Sequence, residues 1–295
     1  MSATVVARKL PARRRRVPHF LRHPGLVVGG VLLLLLVLVA IAAPILAPYP
    51  PLATDLMNTL SQPSLAHPFG TDQYGRDVLS RLIWGTHVSL EVAVAVIGLS
   101  LSLGTAIGAI AGFAGGWIER GIMALNDILL AFPGFLLALA LVAARGSSLQ
   151  SVIIAIAIAY TPRVATVMRS VVIVIRPRPF IEASHAMGMT ATRVLLRHVV
   201  PNALPPVIVV ATISAASAIL AEAGLSYLGL GIAAPTPTWG NVIADGQGVI
   251  ASNPWISLSA GLCIAVTVIA LNLMGDGLRD TLDPQMRRQT GSGLL

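Results

Sequence analysis

The residues whose types and spacing could do chemistry lie in a basic stretch, residues 179 to 202, between two long apolar runs. Small side chains after Glu182 would allow a short helix to lie deep in a partner's groove, and Gly188 permits the left-handed turn that ends such a helix. A second helix is expected to start near Thr190 or Thr192, whose hydroxyls can cap it, and Pro201 is expected to interrupt it. The stretch therefore predicts a protein-docking segment, with an ordinary connecting loop as the alternative. The residues that would form it are Glu182, Ala183, Ser184, Gly188, Arg193 and Pro201.

The elements that must position this segment are membrane helices. The chain is 55% hydrophobic and 11% charged, and its mean hydropathy is +0.82. A hydrocarbon core about 30 Å thick needs about 17 to 25 helical residues, and continuous apolar runs favour helices over a barrel. The sequence therefore predicts an all-α integral membrane protein with six transmembrane helices. They lie within residues 23–54, 92–118, 128–144, 146–162, 198–221 and 246–275.

The basic residues predict the orientation. Seventeen of the twenty lie in the N-terminal tail, at Arg120, between Arg163 and Arg197, or near the C-terminus. Such residues concentrate on the cytoplasmic side of membrane proteins. Both termini and the docking segment are therefore expected in the cytoplasm. The sequence pI near 10.9 has the same origin. A nucleic-acid partner is disfavoured because the basic residues flank spans and do not line a folded groove.

These expectations divide the chain into successive regions. The sequence predicts a basic cytoplasmic tail, a first transmembrane region, an extracytoplasmic segment, a five-helix core that contains the docking segment, and a cytoplasmic tail. Their bounds are 1–22, 23–54, 55–90, 91–275 and 276–295.

Three further blocks carry a family resemblance: HPFGTDQYGRDVLSRLIWGTHVSL (67–90), EAGLSYLGLGIAAPTPTWGNVIADGQ (222–247) and NLMGDGLRDTLDPQMR (272–287). In the first block, Asp72, Arg76 and Asp77 are expected to pair locally. With these blocks, residues 179–202 resemble the EAA loop of bacterial ABC importers. The chain is similar to the C-type permease subunit of bacterial dipeptide, oligopeptide and nickel importers. It departs from the EAA pattern at Ser184, where a second Ala is usual, and at His198, where a hydrophobic residue is usual.

The resemblance implies a type I ABC importer fold in the bacterial inner membrane, with a cytoplasmic coupling helix in the EAA loop. It implies a B-type permease partner, two ATPase domains, and an extracytoplasmic substrate-binding protein that delivers a short peptide. ATP and Mg²⁺ would bind the partner ATPases, and no cofactor or metal is expected on this chain. Nickel complexes or haem remain alternative cargoes.

Other function classes fit less well. Lys9 is the only lysine, so no Gly-x-x-x-x-Gly-Lys phosphate loop exists and the chain is not expected to be an ATPase. An intramembrane serine protease would need a membrane Ser matched to a membrane His, which is not evident. An ion-coupled secondary transporter, the alternative from another class, would want more buried acidic residues and usually more spans.

The sequence also predicts the roles of four glycines and three carboxylates. Gly104, Gly108, Gly112 and Gly116 recur every four residues, which favours tight helix packing within this subunit over a sliding surface against the partner. Glu91 and Asp127 are expected at helix N-termini, where a carboxylate is stabilising. Glu222 needs a partner near the outer end of span five. That partner is either a structural hydrogen bond or, in a translocation path, the amino end of a peptide.

Overall fold

The computed structural model describes residues 23–282, so the predicted tail 1–22 and residues 283–295 lie outside the described part of the chain. The described part is built from helices. These are α1 (Pro24–Ile41), α2 (Ala43–Leu46), α3 (Val78–Ala114), α4 (Gly116–Ala131), α5 (Gly134–Arg145), α6 (Leu149–Ile175), α7 (Pro179–Ala186), α8 (Ala191–Val194), α9 (Val200–Tyr227), α10 (Trp239–Gln247) and α11 (Pro254–Leu282).

Five helices are long and apolar enough to cross a membrane: α1, α3, α6, α11, and the continuous helix Ala191–Tyr227 that contains α8 and α9. A sixth span is obtained when α4 and α5, which meet at 89°, are counted as one. The prediction of six spans is confirmed in this form. The break falls at Phe132, which is extended, because the ring of Pro133 disfavours a helical conformation for the residue before it.

Two predicted helix starts are wrong. Helix α3 begins at Val78, so Glu91 lies inside it, and the helix is capped instead by Asp77, whose carboxylate accepts a hydrogen bond of 2.7 Å from the Ser80 backbone N–H. Asp127 lies near the C-terminal end of α4. Counting charge-free runs placed these starts too late, because a helix can continue past the polar residues beside a membrane.

The glycines of α3 pack this helix closely against α6. A Cβ atom added at Gly104 would lie 2.6 Å from the Val164 Cβ, and one added at Gly112 would lie 2.9 Å from the Arg169 carbonyl oxygen. A Cβ at Gly108 would overlap the Ala165 carbonyl oxygen. We call Gly104, Gly108 and Gly112 the glycine seam. Packing within the subunit is thus confirmed for these three.

Gly116 does not belong to the glycine seam. An added Cβ there would meet no atom within 4 Å among the described residues. Gly115 and Gly116 have φ values of +69° and +59°, so this pair forms the sharp turn from α3 into α4. The four-residue spacing of the glycines therefore wrongly placed Gly116 among the packing positions.

Helix α1 lies at the edge of the bundle, against α11. A Cβ atom added at Gly29 would lie 2.6 Å from the Ala270 carbonyl oxygen, so small residues again permit close approach. The other side of α1 is exposed and apolar, with Leu34 58% and Leu35 53% exposed. In a membrane this side of α1 would contact lipid.

The glycine seam predicts a stability difference between two matched substitutions on α3. Gly108→Ala should lower the free energy of unfolding by about 1 to 3 kcal/mol, because the added methyl group forces α3 and α6 apart. Gly98→Ala should be neutral or slightly stabilising, since no atom lies within 4 Å of the added Cβ. Thermal unfolding of the purified protein in detergent measures both. Equal melting temperatures for the two variants would contradict close packing of α3 against α6 at the glycine seam.

Candidate functional site

Helix α7 forms where the docking segment was predicted. Pro179 occupies the first helical turn, where its missing N–H costs nothing, and Glu182 places a negative charge near the helix N-terminus. The helix ends at Ala186, and Gly188 two residues later has φ +80° and donates its N–H to the His185 carbonyl oxygen at 2.9 Å. The predicted left-handed turn is confirmed.

One side of α7 is fixed to the helix bundle. Ile181 is only 2% exposed and belongs to a buried apolar cluster that includes Met168 of α6 and Val207 of α9. Ser184 is also buried, and its hydroxyl donates to the Phe180 carbonyl oxygen at 2.7 Å. This cluster links α7 to the membrane helices α6 and α9.

The opposite side of α7 is open to a partner. Glu182 and Ala183 are exposed, and the large apolar side chains of Phe180 and Met187 are 40% and 73% exposed. We call Phe180, Glu182, Ala183 and Met187 the docking face. An acidic group among exposed apolar side chains suits a protein interface with a basic edge.

The helix after Gly188 differs from its prediction. It begins after Thr190, as expected, but the Thr190 hydroxyl makes no capping hydrogen bond; Arg193 in its first turn is exposed. Pro201 was expected to interrupt this helix, and that prediction is wrong, because Ala191–Tyr227 is continuous. A π-helical turn, Leu195–Val199, directly precedes Pro201. Such a turn shifts the hydrogen-bond ladder where proline lacks an N–H.

At the other end of the bundle, two arginines and two aspartates form a buried ion-pair network. Asp72 is fully buried and its Oδ2 lies 2.6 Å from both Arg76 Nε and an Arg81 guanidinium nitrogen. Asp245 of α10 contacts the same two arginines at 3.0 and 2.6 Å. The network joins the segment before α3 to α10.

The sequence predicted only part of this network. Local pairing of Asp72 with Arg76 is confirmed, whereas Asp77 pairs with His67 at 2.9 Å. The contact of Arg81 with Asp245 joins residues 164 positions apart. No local pattern marks such a pair, so sequence reasoning missed it.

A second polar contact holds the same segment to the start of α11. The Gln62 side chain donates to the Asn253 Oδ1 at 2.9 Å and accepts from the Trp255 indole N–H at 3.0 Å. The segment before α3, α10 and the start of α11 are thus joined by side-chain hydrogen bonds at two places.

Glu222 lies inside the protein, near the end of α9. It is 1% exposed, and the Ser226 hydroxyl donates to its Oε1 at 2.9 Å. This hydrogen bond matches the structural alternative given above, and a role for Glu222 in a translocation path stays a prediction.

Known proteins resemble the chain over most of its length. Residues 104–288 match the family described as binding-protein-dependent transport system inner membrane component, and residues 14–64 match the N-terminal transmembrane domain of oligopeptide transport permease C. A dipeptide transport system permease of Alkalihalophilus pseudofirmus is 44% identical over 88% of this chain and 86% of its own length. A glutathione transport system permease of Pectobacterium atrosepticum is 37% identical over 91% and 90%.

The fold has a solved counterpart. An inward-facing structure of the MetNI methionine ABC transporter matches with a TM-score of 0.59 and 20% identity, over 70% of this chain and 97% of that chain. The fold is that of an ABC importer permease.

The chain belongs to the family of binding-protein-dependent transport-system inner-membrane components, the permease subunits of ABC importers. It is a multi-pass inner-membrane protein. The predicted resemblance to the C-type permease is confirmed.

The ion-pair network predicts that substitution of two aspartates affects the stability of the protein differently. Asp72→Asn should lower the free energy of unfolding by about 3 kcal/mol, because it leaves two buried guanidinium groups short of a charge partner. Asp55→Asn should have little effect, since Asp55 is exposed and caps only a single turn, Leu56–Asn58. Melting temperatures of the two variants in detergent test this. Similar values would show that the network contributes nothing to stability.

Proposed function

We propose that this chain is one of two permease subunits of an ATP-driven importer of short peptides, and that α7 is its contact with an ATPase. The observation that carries the proposal is the two-sided character of α7. One side is anchored by Ile181 to α6 and α9, and the other presents exposed acidic and apolar groups. A helix of this kind transmits motion from a partner to the membrane helices.

Short peptides are the proposed substrate because the curated relatives are named as dipeptide and glutathione transport permeases. Their resemblance covers almost the whole chain, including the helices that would form the path. Nickel complexes and haem are the alternative cargoes, and no feature of the described residues favours them over peptides.

The proposed assembly contains a B-type permease, two ATPase domains that bind ATP and Mg²⁺, and an extracytoplasmic substrate-binding protein. The docking face would lie in the cytoplasm with both termini, as the distribution of arginines indicates. The segment before α3 and α10 would then face the binding protein. Residues Glu182, Ala183, Gly188 and Arg193 are proposed to act at the ATPase contact, and Ser184 to hold α7 in shape.

The mechanism we propose is alternating access. Closure of the ATPases around ATP draws the two coupling helices together, and the membrane helices exchange an inward for an outward opening. Because the α7 anchor includes side chains of both α6 and α9, these two helices would move first. Binding of the loaded binding protein would favour the outward opening.

Substitutions on α7 test the coupling role. Glu182→Lys should leave the permease in the membrane but weaken ATPase attachment, since losing a charge-assisted contact at an interface typically costs about 2 to 5 kcal/mol. Gly188→Asp should act similarly, because φ +80° disfavours a residue with a side chain and the new charge alters the surface. Co-purification of the ATPase and uptake of a dipeptide by intact cells are measured together.

Two control variants separate the possible causes. Gly188→Asn keeps the turn better than other substitutions, since Asn tolerates the left-handed region and an added Cβ meets no atom within 4 Å among the described residues. It should retain more ATPase than Gly188→Asp. Cys263→Ala should be near normal in both measurements. Normal attachment and uptake in both Glu182→Lys and Gly188→Asp would mean that α7 is not the coupling site.

A further inference from the structure

Arg163 lies within α6, a helix long and apolar enough to cross a membrane, whereas the sequence placed its charge in the cytoplasmic loop after the span. It stands in α6, twelve residues before the end of that helix at Ile175, a distance of about 18 Å along the axis. Its neighbours Thr161 and Val164 contact the seam residue Gly104, which lies ten residues, about 15 Å, before the end of α3. The run predicted for this span, residues 146–162, therefore ends thirteen residues before the helix does.

The guanidinium of Arg163 has no charge partner within the described residues. It takes part in none of the salt bridges or hydrogen bonds found among residues 23–282, and its side chain is exposed. By contrast, Arg169, two turns further along α6, is paired with Glu119 at an Nε to Oε1 distance of 2.7 Å. An unpaired cation inside a span marks a water-filled cavity or a ligand path.

The neighbours of Arg163 on α6 show where its side chain emerges. Thr166 accepts a hydrogen bond of 3.0 Å from Asn126 of α4, and Tyr160 donates one of 3.3 Å to the Ser217 carbonyl oxygen of α9. Residues three apart on a helix lie about 60° apart around its axis. Arg163 is three residues from each, so it emerges between the side of α6 that carries α4 and the side that carries α9.

We call the space between α4 and α9 at Arg163 the groove. Near the C-terminal end of α9, an added Cβ at Gly224 would lie 3.0 Å from the Phe135 ring of α5, so α5 and α9 touch. Arg163 thus lies in the groove between α4 and α9. The contact of α5 with α9 lies nearer the end of the bundle opposite α7.

Lipid is a poor partner for the guanidinium of Arg163. A lipid-facing arginine is tolerated near a helix end, where its side chain reaches the head groups. Arg163 lies about 9 Å deeper along α6 than the Glu119 and Arg169 pair. A carboxylate that enters the groove would instead match the guanidinium with two parallel hydrogen bonds.

We propose that Arg163 lines the translocation path and binds the C-terminal carboxylate of the peptide as it passes between α4 and α9. This inference rests on the proposed peptide import. It gives Arg163 a role in substrate specificity that is separate from the docking face, since Arg163 makes no contact with α7 among the described hydrogen bonds and ion pairs.

The test uses the complete transporter with its binding protein in proteoliposomes. Alanyl-alanine, which has a free carboxylate, is compared with alanyl-alanine amide, which has none, at concentrations that saturate the binding protein. Arg163→Gln should reduce uptake of alanyl-alanine at least about tenfold and leave amide uptake unchanged. Arg163→Lys should fall in between, because it keeps the charge without the planar fork. ATPase stimulation by the loaded binding protein should persist in both variants.

Arg145→Gln is the matched control, an exposed arginine at the end of α5, outside the groove. It should import both peptides like the wild type. Equal uptake of alanyl-alanine by Arg163→Gln and wild type would overturn the inference. So would an equal loss for both peptides, which would mean that Arg163 supports the structure or pairs with the second permease. A wild-type complex that imports neither peptide would instead overturn the proposed substrate.

Thiol accessibility gives a measurement that does not depend on transport. In a Cys263→Ala background, Arg163→Cys should react with a water-soluble methanethiosulfonate, and alanyl-alanine should slow the reaction. Leu34→Cys on the lipid side of α1 should not react. An unreactive cysteine at 163 would place this position in lipid and overturn the inference.

Discussion

The close packing of α3 against α6 is the contact on which the other functional elements depend. Because the seam residues have no side chains, the carbonyl groups and side chains of α6 lie directly against the backbone of α3. Helix α4 continues from α3 through the Gly115 and Gly116 turn and lies along α6, while α7 begins four residues after α6 ends. A shift at the seam would therefore reach both the groove and the docking face.

The polar groups of the chain need partners within the protein, because the interior of a membrane holds no water. Several hydroxyls within the spans are satisfied by their own helices: Ser100, Thr161 and Thr267 each donate to the carbonyl oxygen four residues earlier at 2.7 Å. The ion-pair network and the Glu119 and Arg169 pair lie toward the two ends of the bundle. Arg163 differs from these groups because it has no ion-pair partner among residues 23–282, which favours a ligand or water beside it.

The sequence predicted the class of fold, the glycine seam and the turn at Gly188. Each of these depends on a local property: the length of the apolar runs, the spacing of the glycines, and the ability of glycine to adopt a left-handed conformation. It misplaced the start of α3 and predicted an interruption at Pro201 where the helix is continuous. The pairing of Arg81 with Asp245 and the depth of Arg163 could not be predicted, since both require knowing which helices are neighbours. Charge counting assigned Arg163 to the cytoplasm for that reason.

The most direct measurement of the central claim is site-specific photo-crosslinking at the two ends of the assembled transporter. A benzophenone side chain at Met187, 73% exposed beside Gly188, should capture the ATPase, while one at Leu65, fully exposed before α3, should capture the binding protein. Each product can be identified by mass spectrometry of the purified adduct. Capture of the binding protein from Met187, or of the ATPase from Leu65, would contradict the coupling role of α7 and the orientation of the chain.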